Sequence, residues 1–126
     1  MTFSMVGRSE TGKTTLITNL VAELKRRGFS VGVVKHCPRG FQLDMEGKDS
    51  WKFKEAGADA VLLLSPERLG LVKERRGQPS LTQLVEKFFA DADLVLTEGC
   101  PDGAEGRKIE VLRSAVSREL LHAPDD

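Results

Sequence analysis

Cysteine and histidine are scarce in this chain, two of each in 126 residues, and that scarcity rules out several classes of protein. Cys37 and Cys100 are too few for a disulfide scaffold, and neither belongs to a close Cys/His pair of metal-ligand spacing. Both follow segments expected to be strands ending on the nucleotide side, so they could approach each other, and two reduced, unreactive thiols are favoured over a redox or metal pair. Two histidines do not make the metal-rich tract of a nickel or cobalt metallochaperone. Neither charge is in surplus. Lys plus Arg and Asp plus Glu number 19 each, so no global field recruits nucleic acid or an anionic membrane, and any anion must be bound locally. No apolar run approaches the roughly 18 residues of a membrane span, and the N-terminus has no charged-then-apolar leader. The expectation is a cytoplasmic protein with no nucleic acid and no membrane among its partners. Trp51 and Phe53 stand apart from any basic and aromatic alternation, so they read as packing residues and not as a base-stacking platform.

With 40% hydrophobic residues, the chain has material for one core and too little length for two. A single domain over residues 1–126 is expected, with residues 113–126 as a frayed or truncated tail because they carry no strong pattern. The rest alternates. Thr2–Val6 is short and apolar, as a buried strand is. Leu16, Ile17, Leu20, Val21 and Leu24 then make a helical stripe that ends at Gly28 behind three basic residues. Residues 29–36 read as a strand and residues 37–48 as a loop. Asp49 is positioned to cap a short helix, and Ala60–Leu64 reads as a third buried strand. Leu69–Lys73 alternates weakly, which suits an antiparallel edge strand. Ser80 and Gln83 have capping-box spacing ahead of Leu81, Leu84, Val85, Phe88 and Phe89. Leu94 to Leu96 is the next strand, and residues 108–112 the last. Strands alternating with helices predict an α/β fold: a mainly parallel sheet flanked by helices, with ligands bound beyond the carboxyl ends of the strands.

One motif carries chemistry. Gly7-Arg8-Ser9-Glu10-Thr11-Gly12-Lys13-Thr14 fits G-x-x-x-x-G-K-[ST], the phosphate-binding P-loop, also called Walker A. At this chain's content of glycine, lysine, serine and threonine, such a string arises by accident in roughly one chain per hundred, before its strand–loop–helix setting is required. Backbone N–H groups of the loop and the helix N-terminus point at phosphate oxygens, and the helix dipole adds partial positive charge. The loop from Gly7 to Thr14 is therefore the candidate phosphate site. Lys13 brings a full charge to the β- and γ-phosphates, and Thr14 brings a hydroxyl to Mg²⁺. Glu10 would repel polyphosphate, so it contributes backbone and turns its carboxylate to solvent.

Asp93-Leu94-Val95-Leu96-Thr97-Glu98-Gly99 is a hydrophobic strand ending in a carboxylate, the Walker B arrangement that reaches Mg²⁺ directly or through water. Glu98 is at the phosphate end and Asp93 at the other. Asp44 lies where P-loop proteins place a segment that senses the γ-phosphate, and it is the third candidate metal contact and a candidate catalytic residue alongside Lys13. Arg8 has two readings: a solvated surface arginine, or a catalytic guanidinium acting across a dimer on the partner's phosphates. His36 reads as a strand-end side chain bonded to backbone. No Asn-Lys-x-Asp string is present to read guanine, so the motifs leave the base open.

The P-loop at residue 7, Lys35-His36, Asp44, Gly47-Lys48-Asp49-Ser50, Ala56-Gly57-Ala58, Ser65-Pro66-Glu67-Arg68, Glu98-Gly99 and Lys108-Ile109-Glu110-Val111 together resemble the molybdopterin-guanine dinucleotide biosynthesis accessory family, MobB. The likeness runs to about residue 112. It implies a P-loop GTP-binding homodimer that assists the guanylyltransferase MobA, which joins GMP to molybdopterin. It also implies slow Mg²⁺-dependent GTP hydrolysis, with Ser9, Glu10, Thr11, Gly12, Lys13, Thr14 and Thr15 holding the nucleotide phosphates, Thr14, Asp44 and Glu98 around the Mg²⁺, and molybdopterin as a further ligand. Where that family often has more histidines, this chain reads Cys37-Pro38-Arg39, and Cys100-Pro101 stands where an aromatic and a lysine are usual. A dethiobiotin-synthetase-like ligase or a small-molecule kinase is the competing reading, since either uses the same phosphate machinery.

Overall fold

The computed structural model describes residues 1–7, 12–41, 48–100 and 107–111, and the expected tail lies outside them. In chain order the elements are β1 (Thr2–Val6), α1 (Lys13–Arg26), β2 (Val31–Lys35), α2 (Asp49–Glu55), β3 (Ala60–Leu64), β4 (Leu69–Lys73), α3 (Leu81–Phe88), β5 (Leu94–Glu98) and β6 (Arg107–Glu110). They fall into two compact units, the described parts of Met1–Cys37 and Pro79–Asp126 in one and Pro38–Gln78 in the other.

The first unit is built on a four-stranded sheet in the order β2-β5-β1-β6, parallel throughout. Period-two alternation sorts its side chains. Phe3, Met5, Leu96 and Val31 lie on the side where Leu16, Ile17, Leu20 and Val21 of α1 pack. Met5, Ile17 and Leu96 are its buried centre, each contributing roughly 1.5–3 kcal/mol by leaving water. Ser4 and Thr97, register partners in the β1–β5 ladder, share the other face. Both hydroxyls are buried without a hydrogen-bond partner among the described residues. Gly32 also belongs to that face, and a Cβ there would stand 2.3 Å from the Phe89 ring. The aromatic behind α3 thus rests directly on backbone. α3 opens as its capping box predicts: the Ser80 hydroxyl accepts from Gln83 N–H, and Gln83 Oε1 accepts from Ser80 N–H.

At the amino end of the sheet, Asp93 ties β5 to β2. Its carboxylate accepts from the Ser30 N–H at 2.8 Å and lies 3.2 Å from the Ser30 hydroxyl. In return the Asp93 N–H donates to Ser30, at 2.8 Å to the hydroxyl and 3.0 Å to the carbonyl. The Ser30 backbone N–H, then its hydroxyl, hold the Asp93 pKa below its ordinary value of 3.8.

The second unit corrects part of the sequence reading. β3 and β4 pair antiparallel with each other as a separate two-stranded sheet, the turn closed by Ser65 and Arg68. The antiparallel strand is present, but not on the edge of the parallel sheet. β3 is also not a buried strand: Leu62, Leu63 and Leu64 are 54, 47 and 73% exposed. An unbroken apolar run fits either a strand buried on both faces or one apolar on both faces and open, and local pattern does not separate them. Phe53, expected to pack, is exposed, and α2 is preceded by Lys48 at its cap, with Asp49 as its first helical residue.

The lowered Asp93 pKa makes a prediction with a definite sign. Its ionised form is favoured by folding, so its contribution is full above the unfolded value near 3.8 and is lost as pH falls through the lower folded value. Urea midpoints of the wild-type chain and Asp93→Ala should differ most near neutral pH and converge in acid. A pH-independent gap would show that charge is not what Asp93 contributes.

Candidate functional site

β1 delivers the chain to Gly7, and α1 begins at Lys13 after Gly12. Gly12 adopts φ +93°, a conformation that strains residues with a Cβ, and its carbonyl accepts from Leu16 N–H at 3.0 Å. The cap residue of this helix, Gly12, has no side chain to bond the first turn, no capping bond is made among the described residues, and no acid occupies the first turn. Its leading N–H groups and the positive end of its dipole are thus left for an anion. Lys13 lies beside them, half-buried, with its ammonium donating to the Gly7 carbonyl at 2.7 Å. The lysine spans the two ends of the glycine loop. Sequence reasoning missed this acceptor, because no residue type marks a backbone carbonyl.

The second half of the site comes from β5. Its parallel register with β1 sets Glu98 beside Met5, at the edge of the sheet from which the loop departs. Asp93 lies before the other end of the strand. The Thr14 hydroxyl donates to Glu98 Oε1 at 3.1 Å. Two residues 84 positions apart, chosen from the sequence as metal contacts, are therefore hydrogen-bonded. With its proton directed at the carboxylate, the hydroxyl presents lone pairs elsewhere, and two hard oxygens side by side suit Mg²⁺, which takes few protein ligands and keeps water and phosphate for the rest. Among the described residues no group of three or more His, Cys, Asp and Glu could hold a metal ion, which sets this pair apart from a dedicated metal cage. Thr15 is exposed on the same turn. Arg8, Ser9, Glu10, Thr11 and Asp44 lie outside the described residues.

Beyond β2 the chain stays against β5. The His36 N–H donates to the Glu98 carbonyl at 2.9 Å, and His36 Nδ1 lies 3.1 Å from the Gly99 carbonyl. A carbonyl only accepts, so the ring carries its proton on Nδ1. The histidine is the backbone-bonded strand-end residue that its position suggests, and it holds the segment that carries Glu98. Cys37 and Cys100 follow, both as free, half-buried thiols.

Comparison with known proteins supplies what geometry lacks. Residues 2–126 match the family model described as molybdopterin guanine dinucleotide synthesis protein B. The chain is 44% identical over 96 residues to the molybdopterin-guanine dinucleotide biosynthesis adapter protein of Haemophilus influenzae, covering 75% of this chain and 54% of that one. It is 36% identical over 97 residues to the adapter protein of the same description in Escherichia coli, covering 72% and 54%. Among solved structures, it is similar to the crystal structure of Bacillus subtilis MobB at a TM-score of 0.73 and 31% identity, over 88% of this chain and 67% of that one. The chain thus spans about half the length of those two adapter proteins.

Proposed function

The chain belongs to the molybdopterin guanine dinucleotide synthesis protein B family, and from that membership and the geometry of the glycine loop we propose a cytoplasmic GTP-binding adapter that assists the guanylyltransferase MobA in joining GMP to molybdopterin. The observation that carries the nucleotide reading is the Thr14–Glu98 hydrogen bond at the mouth of an uncapped helix. It is the hydroxyl and carboxylate pair that a P-loop protein presents to a nucleotide-bound metal ion.

In this reading Lys13 exchanges the Gly7 carbonyl for the β- and γ-phosphate oxygens, while Ser9 to Thr15 surround the phosphates with backbone N–H groups. Mg²⁺, when bound, neutralises charge between the phosphates, and Thr14, Glu98 and Asp44 are the residues assigned to hold it. Hydrolysis is slow and secondary to the nucleotide state that MobA meets, and Arg8 is assigned to the transferring phosphoryl group. Molybdopterin is a ligand of the assembled complex. The ligase or kinase alternative needs an acceptor pocket and would favour ATP.

Titration of the purified chain with GTP, ATP and their diphosphates, with and without Mg²⁺, tests the reading. GTP with Mg²⁺ should bind tightest. Lys13→Ala, which removes a charge-assisted hydrogen-bond donor worth about 1.5–3 kcal/mol, should weaken GTP by about 10- to 100-fold without unfolding the chain. Glu98→Gln should reduce the Mg²⁺ dependence, and Asp93→Asn should leave it alone. Unchanged GTP affinity in Lys13→Ala would remove the P-loop assignment. An ATP preference, with no stimulation of guanine dinucleotide formation by cognate MobA, would favour the ligase or kinase.

Homodimerisation belongs to the same proposal, and the β3–β4 pair supports it. A two-stranded sheet is marginal alone in water, and this one leaves Leu64 and Leu69 73 and 72% exposed, with Leu62, Leu63 and Leu71 also open. A second copy covering those leucines would remove from water an apolar patch of the kind that marks interaction surfaces. Leu62→Lys with Leu64→Lys should shift sedimentation toward monomer and leave GTP binding per chain intact. A dimer that survives both changes would place the interface elsewhere.

A further inference from the structure

Cys37 and Cys100 are far apart in sequence, yet each follows a strand expected to end on the nucleotide side of the sheet, and the structure brings the two strand ends together. β2 and β5 stay in register through Lys35 and Glu98. One residue on, the two chains still touch, through the His36 N–H on the Glu98 carbonyl at 2.9 Å and the His36 ring on the Gly99 carbonyl at 3.1 Å. A Cβ built on Gly99 would stand 3.5 Å from the His36 carbonyl. The next residue on each chain is a cysteine, free and half-buried, and both belong to the same compact unit. The ladder ends before them, since Gly99 takes φ +71° and the Cys37 thiol rests 3.8 Å from the Lys35 carbonyl; each cysteine is one residue past a direct contact between the two chains, and a disulfide needs a Cα separation of about 4.4–6.8 Å.

We propose that Cys37 and Cys100 form a reversible disulfide that acts as a redox switch on the adjoining nucleotide site. The oxidant is a small disulfide of the glutathione class. One cysteine thiolate attacks it and expels a glutathione thiolate, leaving a mixed disulfide. The second cysteine thiolate displaces the other glutathione. Two S–H bonds are lost and one S–S bond forms within the chain, while two electrons and two protons leave with two molecules of glutathione. The bond joins the residue that opens the segment leading to Asp44 to the residue two beyond Glu98. With both held, Glu98 loses the freedom to adjust around Mg²⁺, and the oxidised chain binds Mg²⁺–GTP more weakly. This second step rests on the proposed nucleotide function; the disulfide itself does not.

The full chain is equilibrated in glutathione buffers of graded reduced-to-oxidised ratio, quenched with a thiol alkylator, and analysed by intact mass and peptide mapping. The expected product is a monomeric-chain species lighter by about 2 Da, with Cys37 and Cys100 peptides joined and reversed by dithiothreitol. Cys37→Ser and Cys100→Ser should each abolish it. Stable glutathione adducts on both thiols, disulfides only between chains, or two freely alkylated thiols at every ratio would overturn the pairing. GTP titration of the same samples reads the switch, with oxidation expected to weaken affinity by about tenfold, an ordinary coupling between sites. Equal affinity in both states would overturn the switch. Failure of the reduced wild-type chain to bind GTP would instead count against the nucleotide reading, leaving the mass result to judge the disulfide.

Discussion

The parallel ladder between β1 and β5 is the constraint from which the site follows. It pairs Met5 with Glu98 and so delivers a backbone loop and a carboxylate to the same edge of the sheet. A register slip of one residue would turn Glu98 to the other face, away from Thr14, and exchange Leu96 with buried Thr97 in the core. The apolar alternation that buries Met5 and Leu96 against Ile17 therefore also sets the position of the Glu98 carboxylate. Core packing and site geometry have one cause. Asp93 and Ser30 secure the other end of β5, so the strand is held by hydrogen bonds at its start and by the His36 backbone at its finish.

At the loop, electrostatics take over from packing. An uncapped helix N-terminus, a lysine beside it and the absence of an acid in the first turn make a local positive field in a chain whose formal charge is zero. Among the described residues Lys13 donates to the Gly7 carbonyl, an exchangeable hydrogen bond, so a polyanion can take the ammonium by offering stronger, charge-assisted acceptors. The other end of α1 shows the opposite arrangement. There Glu23 accepts from Arg26 and Arg27, which hold its pKa down to about 2. These pairs tidy the helix surface and touch no part of the site.

The leucine-rich β3–β4 pair shows where local pattern misleads. Ala60–Leu64 has the composition of a central parallel strand, and its existence and limits were legible, yet its side chains are open to solvent. What decides burial is which other elements cover the strand, and that is settled by chain topology and partners rather than by the strand's own residues.

The sequence by itself determined the α/β alternation, the nucleotide loop, the direction of β5 with Glu98 at its far end, and the α3 capping box, because each rests on contacts within a few residues or on the period of a helix or strand. Only the tertiary structure decided that Thr14 and Glu98 are hydrogen-bonded, that Lys13 spans its loop to Gly7, that Asp93 is a tie to Ser30, and that β3 and β4 form a sheet of their own. The physical reason is sequence separation. Register between distant strands is chosen by the whole core at once, and no local window of residues contains that choice.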